Sequence, residues 1–189
     1  MVLAQLFAII RGMYILASKL QNLPVMSLQT GQPIAVAERP VINPMNLEVM
    51  AVRCAVGKMR RGQGVVLMRD IRQFSSDCLI IDSFDEIEDP NEIVRLSNVA
   101  ERNFNPMGKM VVSESGQRLG KVEDYTINLK TSMLQKLYVH QSLMKSILFN
   151  SLVIDRTQII EVTTKRFTVR DASVQEPSLA PHAIPHGTK

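Results

Sequence analysis

The stretch Gly116-Gln-Arg-Leu-Gly120-Lys121 carries the residue types of a phosphate loop, two glycines followed by a lysine. A loop of the Walker type needs four residues between its glycines and a Ser or Thr after its lysine, so that backbone N–H groups wrap the phosphates and the hydroxyl meets Mg²⁺. Here three residues separate Gly116 from Gly120, and Val122 follows Lys121. The loop must also open a helix whose N-terminus faces the anion, whereas Lys121 to Leu129 reads as a strand. Gly116 is therefore read as a structural turn position. Gly120 is read as a bend or a close backbone approach in a curved sheet.

Three other groups invite chemistry. Gly57-Lys-Met-Arg-Arg-Gly-Gln-Gly64 places Lys58, Arg60 and Arg61 in a glycine-rich loop. Such cations supply the sequence-independent part of RNA or anion binding. Three charges are a small footprint, and a solvated hairpin loop is the simpler reading. The acids Asp82, Asp85, Glu86, Glu88 and Asp89 lack the spacing and turn glycine of an EF-hand. They read as a solvated linker that complements a helix N-terminus. Cys54 and Cys78 sit inside apolar runs, form no CxxC and do not group with His140, His182 or His186. Two buried thiols in a reducing compartment is the reading favoured over a disulfide or a zinc site.

No GxSxG, HExxH or Cys/His pairing is present, so enzyme activity and a cofactor are not expected. The chain has 189 residues, 46% of them hydrophobic and 21% charged, enough for one ordinary domain or two small ones. Aromatics are only 5%, which argues against wide stacking platforms for nucleic acid. Residues 1–92 hold nine Lys and Arg against ten Asp and Glu, and residues 93–189 hold thirteen against eight. A mildly basic second half fits RNA, anionic lipid or an acidic protein surface, and selects none of them. Residues 1–20 are apolar but are interrupted by Arg11 and closed by Lys19. That is a poor spanning helix, and no clear signal-peptide pattern is present. Met13 offers an alternative start, making residues 1–12 an extension.

The elements that must position these residues follow from an internal repeat. Shifted by 85 residues, Thr30–Asn43 lies over Ser115–Asn128. From Gly31 to Asn43 five of thirteen positions are identical: Gly31/Gly116, Gln32/Gln117, Glu38/Glu123, Ile42/Ile127 and Asn43/Asn128. The recurrence of Gly31 and Gly116 assigns both to the same turn, and that of Glu38 and Glu123 favours a role in the fold. Each copy reads as short strands rich in β-branched residues and punctuated by turns. In the second, Leu119, Val122, Tyr125, Ile127 and Leu129 mostly alternate. Between the copies, acids near Pro90 and apolar Ile93, Leu96, Val99 or Ala100 and Phe104 predict an amphipathic connecting helix. Residues 172–189 read as a disordered tail.

The sequence Gly-Gln-Arg-Leu-Gly-Lys-Val-Glu-Asp-Tyr-x-Ile-Asn at 116–128, with the closing strand Thr157-Gln-Ile-Ile-Glu-Val162, resembles the PRC-barrel family. That domain occurs in the photosynthetic reaction centre H subunit and in a bacterial ribosome-maturation factor. The resemblance covers about residues 24–90 and 107–171. Pro33, Ala35, Val36 and Pro40 depart from its pattern in the first copy. It implies a mainly β protein with two small β-barrels in tandem: residues 1–23 as an apolar N-terminal segment, 24–89 as the first barrel, 90–106 as the connecting helix and 107–171 as the second barrel. It further implies a non-enzymatic, cytoplasmic module for protein interaction or assembly, whose partner is another protein. An RNA- or ribosome-associated processing factor, using the basic second half and the Gly57–Gly64 loop, is the alternative. Peripheral membrane contact through residues 1–20 is a third.

Overall fold

A computed structural model describes residues 14–57, 62–93, 96, 103–140 and 151–171. The protein is mainly β. Its strands are β1 (Tyr14–Leu16), β2 (Pro24–Ser27), β3 (Pro33–Asn43), β4 (Glu48–Val56), β5 (Gly62–Leu67), β6 (Gln73–Phe74), β7 (Leu79–Ile81), β8 (Met110–Ser113), β9 (Arg118–Asn128), β10 (Met133–His140), β11 (Ser151–Asp155), β12 (Ile159–Val162) and β13 (Arg166–Val169). A short helix α1 spans Ala17–Leu20. All the strands join one open mixed sheet, whose main path runs β12-β13-β8-β9-β10-β4-β3-β2-β7-β6.

The same pairing scheme occurs twice. β2 pairs antiparallel with β3 and parallel with β7, and β8 does the same with β9 and β13. β3–β4–β5 matches β9–β10–β11 as a meander. Irregularities repeat as well. Register shifts single out Ile34 and Leu119, Glu38 and Glu123, and Met50 and Gln135. Each extra residue displaces the pleat by one and sharpens the local bend. This explains why the apolar spacing in β9 steps by three at Leu119, Val122 and Tyr125 before it alternates.

The recurrent residues sit where the backbone needs them. Asn43 and Asn128 cap equivalent hairpin turns, their Oδ1 accepting from Met45 N–H and Lys130 N–H, each at 3.0 Å. Those turns end on Leu47 (φ 62°) and Ser132 (φ 54°). Gly31 and Gly116, at φ 65° and 88°, turn the β2–β3 and β8–β9 connections. Pro33 opens β3. Pro40 lies beyond Val36, where β2 stops pairing, on a stretch of edge that tolerates a missing N–H. The first copy therefore keeps its hairpin despite both prolines.

The copies meet edge to edge at Met133 and Glu48. Val49 N–H donates to the Ser132 carbonyl at 2.7 Å, and Leu134 N–H donates to the Leu47 carbonyl at 3.0 Å. These are equivalent atoms in the two copies, so the junction has local twofold symmetry. One apolar core runs through both, from Val25, Ile42, Val52 and Leu79 to Val111, Leu134, Leu137 and Phe167. Phe104 packs edge-on against Phe167 with ring centroids 6.1 Å apart.

The segments that precede the copies cross over. β1 pairs with β9 of the second copy, and Ser18 in α1 donates to Asp124 through both its N–H and its hydroxyl. Ahead of the second copy, Asn103 receives a hydrogen bond from Arg39 of the first, and Leu96 is fully buried against Val41, Ala51, Val65 and Leu67. Residues 14–20 are thus part of the fold. Of the connecting helix expected over 90–106, residues 94–95 and 97–102 lie outside the described residues, and Leu96 between them is helical. At its described ends, residues 90–92 form a turn and residues 103–106 are non-helical. Asn103 leaves helical geometry with φ 47°, and Pro106 disfavours it at Asn105 before it. The expected tail 172–189 also lies outside the described residues.

One buried polar atom is exceptional. Thr126 Oγ1 has no hydrogen-bond partner among the described residues, and its equivalent in the first copy is Val41. Replacing Thr126 by the isosteric Val removes an unsatisfied hydroxyl, with an expected gain of about 1 kcal/mol in urea unfolding. A loss of stability would mean that the hydroxyl is satisfied.

Candidate functional site

The residues singled out in the sequence are dispersed through the fold. Gly116 and Gly120 do not enclose an anion site, because β9 rather than a helix follows the turn. Gly120 has φ 141°, and a Cβ placed there would lie 2.2 Å from the His140 carbonyl oxygen. Its role is close approach of β9 to β10. His140 ends β10 with its side chain exposed. Lys58, Arg60 and Arg61 fall outside the described residues, between Val56 and its hairpin partner Gly62. Glu38 and Glu123 are exposed at the repeated irregularity of β3 and β9.

Of the acids after β7, Asp82, Glu86 and Asp89 are engaged by neighbouring groups. Asp82 is held by the Arg72 guanidinium, with Nε at 2.9 Å, and this hydrogen bond keeps its carboxyl below the ordinary range. Glu86 Oε2 accepts from Asp82 N–H at 3.0 Å. Asp89 Oδ1 accepts from Asn91 N–H at 2.8 Å. Asp85 and Glu86 lie in a 3₁₀ turn, Phe84–Glu86, capped by Ser83. Among the described residues no three His, Cys, Asp or Glu side chains group as metal ligands.

Both cysteines are free thiols, with no disulfide between them. Burial first, and the Glu38 charge second, push the Cys54 thiol up to about 12, against a backbone hydrogen bond involving Val66. Cys78 is half-buried, its Sγ 3.3 Å from Ser75 Oγ. A thiol reagent at about pH 8 is expected to modify native protein at Cys78, and Cys54 only after unfolding. Mass spectrometry of labelled peptides checks this; equal labelling rates would contradict it.

Among the described residues, two clefts draw on both copies. One, of ≈ 380 Å³, is lined by Glu38, Arg39 and Ala55 of the first copy, by Tyr125 of the second, and by Ala17 and Asn22. Burial, with Asp124 adding to it and Arg39 opposing it, raises the Tyr125 phenol well above its usual range, so it stays protonated.

The other cleft, of ≈ 440 Å³, runs between the β3–β4 turn and β12. Asn43 sets the turn, which projects Met45 to 82% exposure. On the opposite wall Ile160 of β12 is 49% exposed. Arg156 bridges the walls, its Nη2 donating to the Asn46 carbonyl at 3.2 Å. Arg156 is placed by the 3₁₀ turn Arg156–Gln158, for which Asp155 and Gln158 form a capping box. Burial acts to raise the Asp155 carboxyl, but hydrogen bonds from Thr157 and Gln135 and the Lys136 charge prevail and hold it low. The cap is therefore intact above the ordinary carboxylate range and is lost as pH falls through that lowered value.

β12 is the last strand of the sheet and pairs only with β13 among the described residues. Its outer N–H and C=O groups line an open edge beside two exposed apolar side chains. Such an edge accepts an added strand, with backbone hydrogen bonds for affinity and side-chain contacts for selectivity. Met45 and Ile160 escaped the sequence reading. The signal was available: adjacent Ile159 and Ile160 in a strand point to opposite faces, so one of them must look away from the core.

No protein-family model and no curated protein matches this chain. Among the described residues no helix is long and apolar enough to cross a membrane.

Proposed function

We propose that the chain is a non-enzymatic interaction module, two PRC-type barrel units in tandem, that assembles with another protein. The groove between the β3–β4 turn and the open edge of β12 carries this reading, since neither copy forms it alone and it sets Met45 and Ile160 in solvent. Large exposed apolar side chains beside an unpaired edge are features of protein-binding surfaces. The doubled strand order supports the tandem-unit assignment, and the likeness of residues 116–128 to the family supports its type.

The test is a pull-down from native extract at moderate salt, with Met45→Asp/Ile160→Asp as the paired control. The native chain retains a protein partner after ribonuclease treatment, and the variant loses it. Recovery that needs RNA and falls steeply with salt would replace this reading by the RNA-associated one, because counterion release makes phosphate contacts salt-sensitive. Recovery unchanged in the variant would remove the groove from the mechanism.

A further inference from the structure

The cleft of ≈ 380 Å³ beside α1 lies between the copies. Pro40 and Tyr125 occupy equivalent positions. So do Gln21 and Met107, which precede the left-handed residues Asn22 (φ 68°) and Gly108 (φ 77°). Pro40, Tyr125, Gln21 and Met107 all line the cleft. Tyr125 is only 2% exposed, yet its hydroxyl makes no hydrogen bond among the described residues. Nor is that oxygen sealed in, since Thr126 Oγ1 is the one enclosed and unpartnered side-chain atom among the described residues. What exposure the Tyr125 hydroxyl keeps is toward the cleft.

Opposite charges line the same cleft. Successive residues of a regular strand point to opposite faces. Glu38, however, is the extra residue at the register shift of β3, and it shares the cleft with Arg39. Such irregularities re-aim side chains beside functional sites. Among the described residues neither Glu38 nor Arg39 enters an ion pair. Arg39 donates to Asn103 through Nη2, which leaves other guanidinium N–H groups for a ligand. Val36, Ala37, Ala55 and Met107 supply apolar lining.

We propose that this cleft binds a small aliphatic α-amino acid. Arg39 and the Tyr125 hydroxyl hold its carboxylate, Glu38 holds its ammonium, and Ala37, Ala55 and Met107 receive its side chain. A simple anion would meet the Glu38 charge and a simple cation the Arg39 charge, so each would leave one charge unanswered. A zwitterion answers both. A volume of ≈ 380 Å³ is at the lower end for ligand pockets, which suits a molecule of this size. The first copy supplies both charges and the second the hydroxyl, so the ligand bridges the copies.

Amide NMR spectra of the full chain, titrated with L-valine, test the site. Saturable shifts are expected at the Ala37, Arg39, Met107 and Tyr125 amides. Isovalerate lacks the ammonium and isobutylamine lacks the carboxylate. Each is expected to bind about tenfold or more weakly than valine, the loss that follows from one missing charged hydrogen bond. Tyr125→Phe keeps the ring and is expected to weaken valine binding by about tenfold as well. Glu38→Gln is expected to bind valine and isovalerate alike, a change of selectivity that a merely structural role would not produce. Absence of saturable shifts with valine overturns the proposal, as does equal affinity of the native chain for valine and isovalerate. Valine binding undiminished in Tyr125→Phe places the ligand elsewhere and overturns it too.

Discussion

Gly120→Ala is expected to cost about 3 kcal/mol or more, among the largest effects of any single methyl in this protein. The new Cβ would meet the His140 carbonyl oxygen at 2.2 Å and Val139 Cγ1 at 3.0 Å. The φ of 141° adds backbone strain that L side chains rarely bear. Both obstacles belong to a paired strand, so relief must come from moving β10 or breaking the pairing. Gly116→Ala is the control: φ is 88° but nothing lies within 4 Å of the added Cβ. Its cost should stay near the left-handed penalty, about 1–2 kcal/mol. Urea unfolding midpoints with matched slopes give the comparison. A folded Gly116→Ala beside an insoluble Gly120→Ala counts as the larger effect, and equal midpoints would refute the steric account.

Removing residues 1–20 is expected to destabilise the protein by about 3–6 kcal/mol, from the burial of Leu16 and Leu20 alone. Loss of the β1–β9 pairing and of the two hydrogen bonds to Asp124 comes in addition. A chain beginning at Met13 retains every one of these contacts and should unfold at the same urea concentration as the full chain. The damage from the longer deletion should appear in the second copy, far away in sequence, as faster amide exchange along β9. Equal stability of the two shortened chains would show that β1 and α1 contribute nothing.

The glycine-rich stretch at 116–120 shows how far the sequence could be read. Wrong spacing for phosphate and a strand pattern after the turn were both visible, as was the repeat that ties it to Gly31. What could not be read was where the extra residues fall, because an irregularity such as that at Glu123 is set by the partner strand. Glu38 and Glu123 were identical in the two copies, yet only the pairing shows what they share. The crossing of β1 onto β9 was equally hidden, since pairing over more than 100 residues leaves no local signature. Residues 1–23 looked like one apolar segment for that reason. The groove depends on how the copies meet, and no window of sequence contains both Met45 and Ile160.

The reciprocal bonds between Leu47, Val49, Ser132 and Leu134 have the geometry of an isologous dimer contact, in which one surface meets its own copy. Each half is shaped as a subunit for the other. Carrying both in one polypeptide makes that encounter independent of protein concentration, since the tether replaces diffusion. It also releases the halves from identity, a freedom no homodimer has. Ala35 and Gly120, Val41 and Thr126, and Gly64 and Leu152 are positions where the two have diverged inside a shared plan. The groove at β12 takes one wall from each half, so its two walls are free to change independently.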